Sequence, residues 1–195
     1  MSDTLPRYLY SDEDWDLWEE RLMNCEKEDL VELMLMRMSN DTRFFNLVYA
    51  KFGNGNETDE EVDAQIQFYE SDIYREMYEK NPDIDYIIST TERFFITIEE
   101  MPGILHKVRG YIAIIIKLDQ SINQGVGYKN DDDWLLVDRI EDATKYLVKL
   151  IQKEAKSPSI KTQIKNRILQ SMESYDPVGE NYLQMVLDEM EKMDE

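Results

Sequence analysis

Between positions 61 and 85 the sequence sets eight carboxylates, Glu61, Asp63, Glu70, Asp72, Glu76, Glu79, Asp83 and Asp85, around three tyrosines, Tyr69, Tyr74 and Tyr78. Carboxylates take ion pairs and hydrogen bonds from lysine and arginine, while tyrosines offer large amphipathic anchors, so the combination suits a basic protein surface. Aromatics interleaved with lysine and arginine would suit single-stranded nucleic acid. Interleaved with acids, they carry the wrong sign for phosphate. The plainer account of the same residues is aromatic core packing beneath a solvated acidic face.

Other chemistry is sparsely supplied. His106 is the sole histidine, and no serine or cysteine is spaced to form a nucleophile pair with it, so capping or partial burial is its expected role. Asp131, Asp132 and Asp133 read as favourable charge at a helix N-terminus rather than as a cation site. Asn54, Asn56, Asp59 and Glu61 lack the spacing of a calcium loop. Glu99 and Glu100 are consecutive and point about 100 degrees apart on a helix, which separates them as a carboxylate pair. The lone Cys25 excludes an intramolecular disulfide and is expected to be a small buried side chain. No catalytic, metal or cofactor site is therefore assigned.

Charge frames this reading. The chain carries 42 acidic and 22 basic residues, a formal charge of -20. By region the sums are -6 for 1–53, -11 for 54–102, +4 for 103–170 and -7 for 171–195. Such a field repels nucleic acid and anionic membrane and attracts basic surfaces. Lys145, Lys149, Lys153 and Lys156 recur on one helical face, and they are expected to neutralise the -11 region of the same molecule or of a second copy. The first ten residues lack an apolar core and the longest apolar run is too short to span a bilayer, so a cytoplasmic setting is expected.

The elements that position these residues are helices. Trp15, Trp18 and Leu22 share a face behind a start at Ser11. Lys27 to Met38 is apolar nearly all round, the pattern of a central, well-covered helix. Asn40 and Asp41 start another, ending near Gly53, and the Gly-Asn-Gly-Asn-Glu run to Glu57 is a link. Thr58 with Glu61 forms a capping box before Val62, Ile66, Tyr69, Ile73 and Met77. Pro82, Pro158 and Pro177 each suit a first turn, and Leu136, Ile140, Ala143, Leu147, Leu150 and Ile151 form the longest seam. The β-branched runs at 86–91 and 111–116 continue a three-four stagger beyond strand length and read as helix.

The sequence thus predicts an all-α fold of about nine amphipathic helices, in an antiparallel helical bundle or a short stack of helical hairpins. It reads as a single domain over 1–195, with a subdivision into 1–53 and 58–195. The function expected is a non-enzymatic acidic interaction module for a basic protein, with no direct nucleic-acid or membrane binding. A nucleic-acid mimic that inhibits a DNA- or RNA-binding enzyme is a pointed version. A helical small-ligand binder or enzyme with an inter-helix site is the alternative of different class. A homodimer through charge-complementary regions is also allowed.

Overall fold

A computed structural model of the chain describes residue 17 and residues 20–52, 58–79, 82–101, 103–126, 133–177 and 180–193. The fold is all-α: the described residues form helices and their links, including both β-branched runs, and contain no strand. The helices with defined bounds are α1 (Lys27–Asn40), α2 (Thr42–Phe52), α3 (Asp59–Met77), α4 (Ile84–Glu100), α5 (Ile104–Asn123), α6 (Asp133–Glu154), α7 (Pro158–Glu173) and α8 (Tyr182–Lys192). Residues 20–23 are helical as well. The start at Ser11, Trp15, Trp18, the link at 53–57, Asp131 and Asp132 lie outside the described residues.

The chain forms two compact units, Met1–Phe45 and Asn46–Glu195, with the boundary inside α2. The second is a helical bundle organised around α5. That helix packs against α3, α4, α6, α7 and α8, whereas in a linear stack of hairpins each helix would meet only its neighbours. Its sequence explains the position: Val108, Tyr111, Ile112, Ile114, Ile115, Leu118 and Ile122 cover more than one face, and all are buried. The expected seams close onto it. Val62, Ile66, Tyr69, Ile73 and Met77 of α3 are buried, as are Leu136, Ile140, Ala143, Leu147, Leu150 and Ile151 of α6. Gly110 lets α4 approach α5 closely, since a Cβ there would stand 2.5 Å from Cγ1 of Ile98.

Local chemistry sets the ends. Asp41 accepts from the Phe44 backbone N–H at 3.1 Å and opens α2. The Thr58–Glu61 capping box forms in both directions. Asp83 caps α4, which places Pro82 just outside the helix. Gly125, at φ 78, ends α5: the Val126 N–H reaches the Ser121 carbonyl and the Gly125 N–H that of Ile122, the paired bonds of a Schellman ending. The last helix starts later than Pro177 suggests, because Asn181 accepts from the Gln184 N–H and fixes the N-cap there.

Two expectations in the first unit are corrected. Helix α1 has no buried residue, and the well-covered central helix is α5, within the second unit. Among the described residues the first unit offers only 20–23 and the start of α2 beside α1, too few to surround a helix apolar on every side. Cys25 is exposed rather than buried, with its thiol 3.3 Å from the Arg21 carbonyl.

Candidate interaction surface

The eleven residues singled out between 61 and 85 fall into three sets. Tyr69 belongs to the core, which corrects its expected role as an exposed anchor. Its ring stacks on Phe94 with centroids 4.4 Å apart, and its hydroxyl shares a 2.8 Å hydrogen bond with that of Thr97. The cause is its place on the 62-66-69-73-77 stripe that faces α5.

The second set consists of carboxylates committed to the fold. Glu61 closes the capping box, and the Thr58 backbone and hydroxyl bonds hold its carboxyl below the ordinary range. Asp63 pairs with the buried guanidinium of Arg109. Asp72 is buried, receiving Arg75 at 3.0 Å and the Tyr86 hydroxyl at 3.3 Å, so it is not available as a docking acid. Glu76 accepts from the Asp83 N–H at 2.8 Å, and Asp83 from the Tyr86 N–H at 3.0 Å.

The third set faces outward. Tyr74 and Tyr78 are 52% and 58% exposed, with ring centroids 4.6 Å apart. One helical turn before Tyr74 lies Glu70, half-buried, and Lys117 of α5 extends Nζ to 5.6 Å from the Tyr74 centroid. Burial pushes the Glu70 carboxyl up, and the Lys117 charge offsets part of that shift. Glu79 and Asp85 are exposed close by in sequence. The geometry is therefore an aromatic pair beside an incompletely compensated acid.

No family model, curated protein or solved structure matches this chain.

The folded carboxylates show how the charge is balanced inside the molecule. Region 103–170 does neutralise parts of the acidic region, but through Arg109 on Asp63, Arg139 near Glu92 at 3.9 Å and Lys117 beside Glu70. The lysine stripe is engaged differently. Lys145 pairs with Glu141 of its own helix at 3.0 Å, and Lys149 stands 5.9 Å from the Tyr146 ring centroid.

His106 occupies the first turn of α5 and is half-buried. Among the described residues, no group of three histidine, cysteine or acidic side chains could hold a metal ion. No helix of the described residues is long and apolar enough to cross a membrane.

Sequence reasoning missed several buried polar groups, Arg109 and Asp119 among them. Asp119 of α5 is 1% exposed, and burial together with its carboxylate pushes the Tyr175 phenol far above its usual range. The pair links α5 to the segment after α7. Asp119 was hidden because it adjoins Leu118 in an apolar period that runs on undisturbed to Ile122. A charged residue flanked by core positions is the signal that would have found it.

The raised Glu70 pKa has a stability consequence with a definite sign. A carboxyl whose folded pKa lies above its unfolded value stabilises the fold less once ionised, so the penalty grows as pH rises through 4.5 and is complete above the folded value. The variant Glu70→Gln is expected to melt above the parent at neutral pH, with the gap closing under acid conditions. Thermal melts across about pH 3 to 8 check this.

Proposed function

We propose that the chain is a non-enzymatic, acidic α-helical interaction module that takes a basic protein partner on the Tyr74–Tyr78 face of α3. One observation carries the reading: two tyrosines, each more than half exposed, lie together beside Glu70, an acid that burial penalises and Lys117 only partly repays. A lysine or arginine from a partner, placed against Glu70 and the Tyr74 ring, would complete that compensation and gain aromatic contact at once. The surrounding charge of -11 over 54–102 favours rapid encounter with such a partner.

The commitment of Asp63, Asp72, Glu76 and Asp83 to internal bonds favours this reading over mimicry of nucleic acid, which calls for a row of outward carboxylates. The test is recovery of bound proteins at low salt from the native host, using the parent and the Tyr74→Ala/Tyr78→Ala variant as baits. The expected result is a basic protein released at modest salt from the parent and lost from the variant, whose melting stays within about 0.5 kcal/mol of the parent for each exposed site. The same proteins on both baits would sink the proposal.

A further inference from the structure

Lys117 of α5 reaches the Tyr74–Tyr78 face from the neighbouring helix. Its ammonium lies 5.6 Å from the Tyr74 ring centroid, within the reach of a cation–π contact, and donates a 3.0 Å hydrogen bond to Oε1 of Gln120 one turn further along α5. The same charge acts on the half-buried Glu70. The free protein therefore already carries a cation where a basic partner would put one.

The ring and the amide are modest holds, because each is a contact of a flexible, half-buried side chain with a neutral group. A lysine arriving from a partner would exchange one ammonium for another, with nothing gained to offset the cost of association. An arginine differs. Its planar guanidinium stacks on aromatic rings, is more weakly hydrated than an ammonium, and can fork two N–H groups onto a carboxylate such as that of Glu70. The Tyr78 ring, with its centroid 4.6 Å from that of Tyr74, widens the aromatic platform for a group of that size.

We infer that Lys117 is an internal competitor on the Tyr74–Tyr78 face, and that the partner residue which displaces it is an arginine. The inference rests on that face being the docking surface proposed above, and it names what the surface selects. Binding is then an exchange of cations. A surface that offers only lysines is turned away by the lysine already in place, which gives an acidic protein a way to refuse most of the basic surfaces its charge attracts.

Titration of the full chain with hexa-arginine and hexalysine peptides at low salt tests this, each variant being held well below its melting temperature. The parent is expected to bind hexa-arginine more tightly than hexalysine, and Tyr74→Ala/Tyr78→Ala to lose that preference. Lys117→Met keeps an apolar stem without the charge and is expected to tighten hexa-arginine roughly twofold to fivefold, the worth of an exposed cation–π contact. Lys117→Gln should do the same. Lys153→Met, an equal change of charge at an exposed position of α6, is expected to change the affinity by less. Peptides that bind the parent and the double tyrosine variant alike remove the docking face, and the inference with it. Where binding does need the tyrosines, two results overturn the inference alone. One is that the Lys117 variants tighten hexa-arginine no more than Lys153→Met does, and the other is a parent that takes hexalysine as well as hexa-arginine.

Discussion

Replacement of Tyr69 by alanine is expected to destabilise the bundle by about 3–5 kcal/mol, the range for deleting a large buried aromatic side chain. The ring is 1% exposed, stacks on Phe94 of α4, and touches the edge of Phe68 with centroids 5.4 Å apart. Its removal opens a void between α3 and α4 and leaves the buried Thr97 hydroxyl without the Tyr69 oxygen, although Thr97 keeps its 3.1 Å bond to the Arg93 carbonyl. For a protein of this size each kcal/mol is worth roughly 2–4 °C in melting temperature, so the expected fall is about 6–20 °C. Tyr69→Phe keeps the stack and loses only the hydroxyl bond, for a cost of about 1 kcal/mol. Thermal or denaturant melts of both variants check this contrast. A Tyr69→Ala protein as stable as the parent would remove this side chain from the core.

The second large effect is expected at Gly110. In mid-helix, glycine is ordinarily a liability of roughly 1 kcal/mol relative to alanine, and most such replacements stabilise. Here the added methyl would sit 2.5 Å from Cγ1 and 2.9 Å from Cδ1 of Ile98, a fully buried β-branched side chain whose χ1 is strongly restricted in a helix, so relief of the clash costs either a poor rotamer or a shift of α4. Gly110→Ala is therefore expected to destabilise by about 1–3 kcal/mol despite the better helix propensity. The decisive measurement is the double-mutant cycle with Ile98→Ala, which removes both clashing carbons. The Ile98→Ala change alone should cost about 2–5 kcal/mol. The two together should cost at least about 1 kcal/mol less than their sum. Additive effects would mean that the close approach of the two helices does not matter to stability.

These two positions illustrate what the sequence discloses and what it withholds. The seams of α3 and α6 were legible residue by residue, because a three-four period and a capping box are local properties of the chain. The same period in fact placed Tyr69 inside, and its reading as an outward anchor came from residue type and acidic company rather than from its position on the helix. The approach of Ile98 to Gly110 is a matter of two helices meeting, which spacing within either helix does not encode. Helix α1 shows the reverse difficulty. Apolar residues all round a helix announce that it needs covering, but not whether its own chain supplies the cover.

The acidic surface was legible as charge and not as arrangement. Composition reveals the excess over 54–102, yet only tertiary contacts distinguish Asp63 on Arg109 and Asp72 under Tyr86 from the outward acids near Tyr74. The half-burial of Glu70, on which its raised pKa depends, arises in the packing of α3 beside α5.

The central place of α5 in space is matched by a central place in the chain, and this bears on how the bundle is made. Helices α3 and α4 precede it and α6, α7 and α8 follow it, so during synthesis the inner faces of the first two wait for residues 104–123 to emerge before they can close. A polypeptide released before Ile104 can still pack α3 on α4 but lacks α5, the helix against which both of them pack. One beginning after Gly125 keeps α8 against α6 but lacks the helix with which α6 makes its most extensive contact. Either partial chain leaves open the apolar faces that α5 covers in the complete bundle.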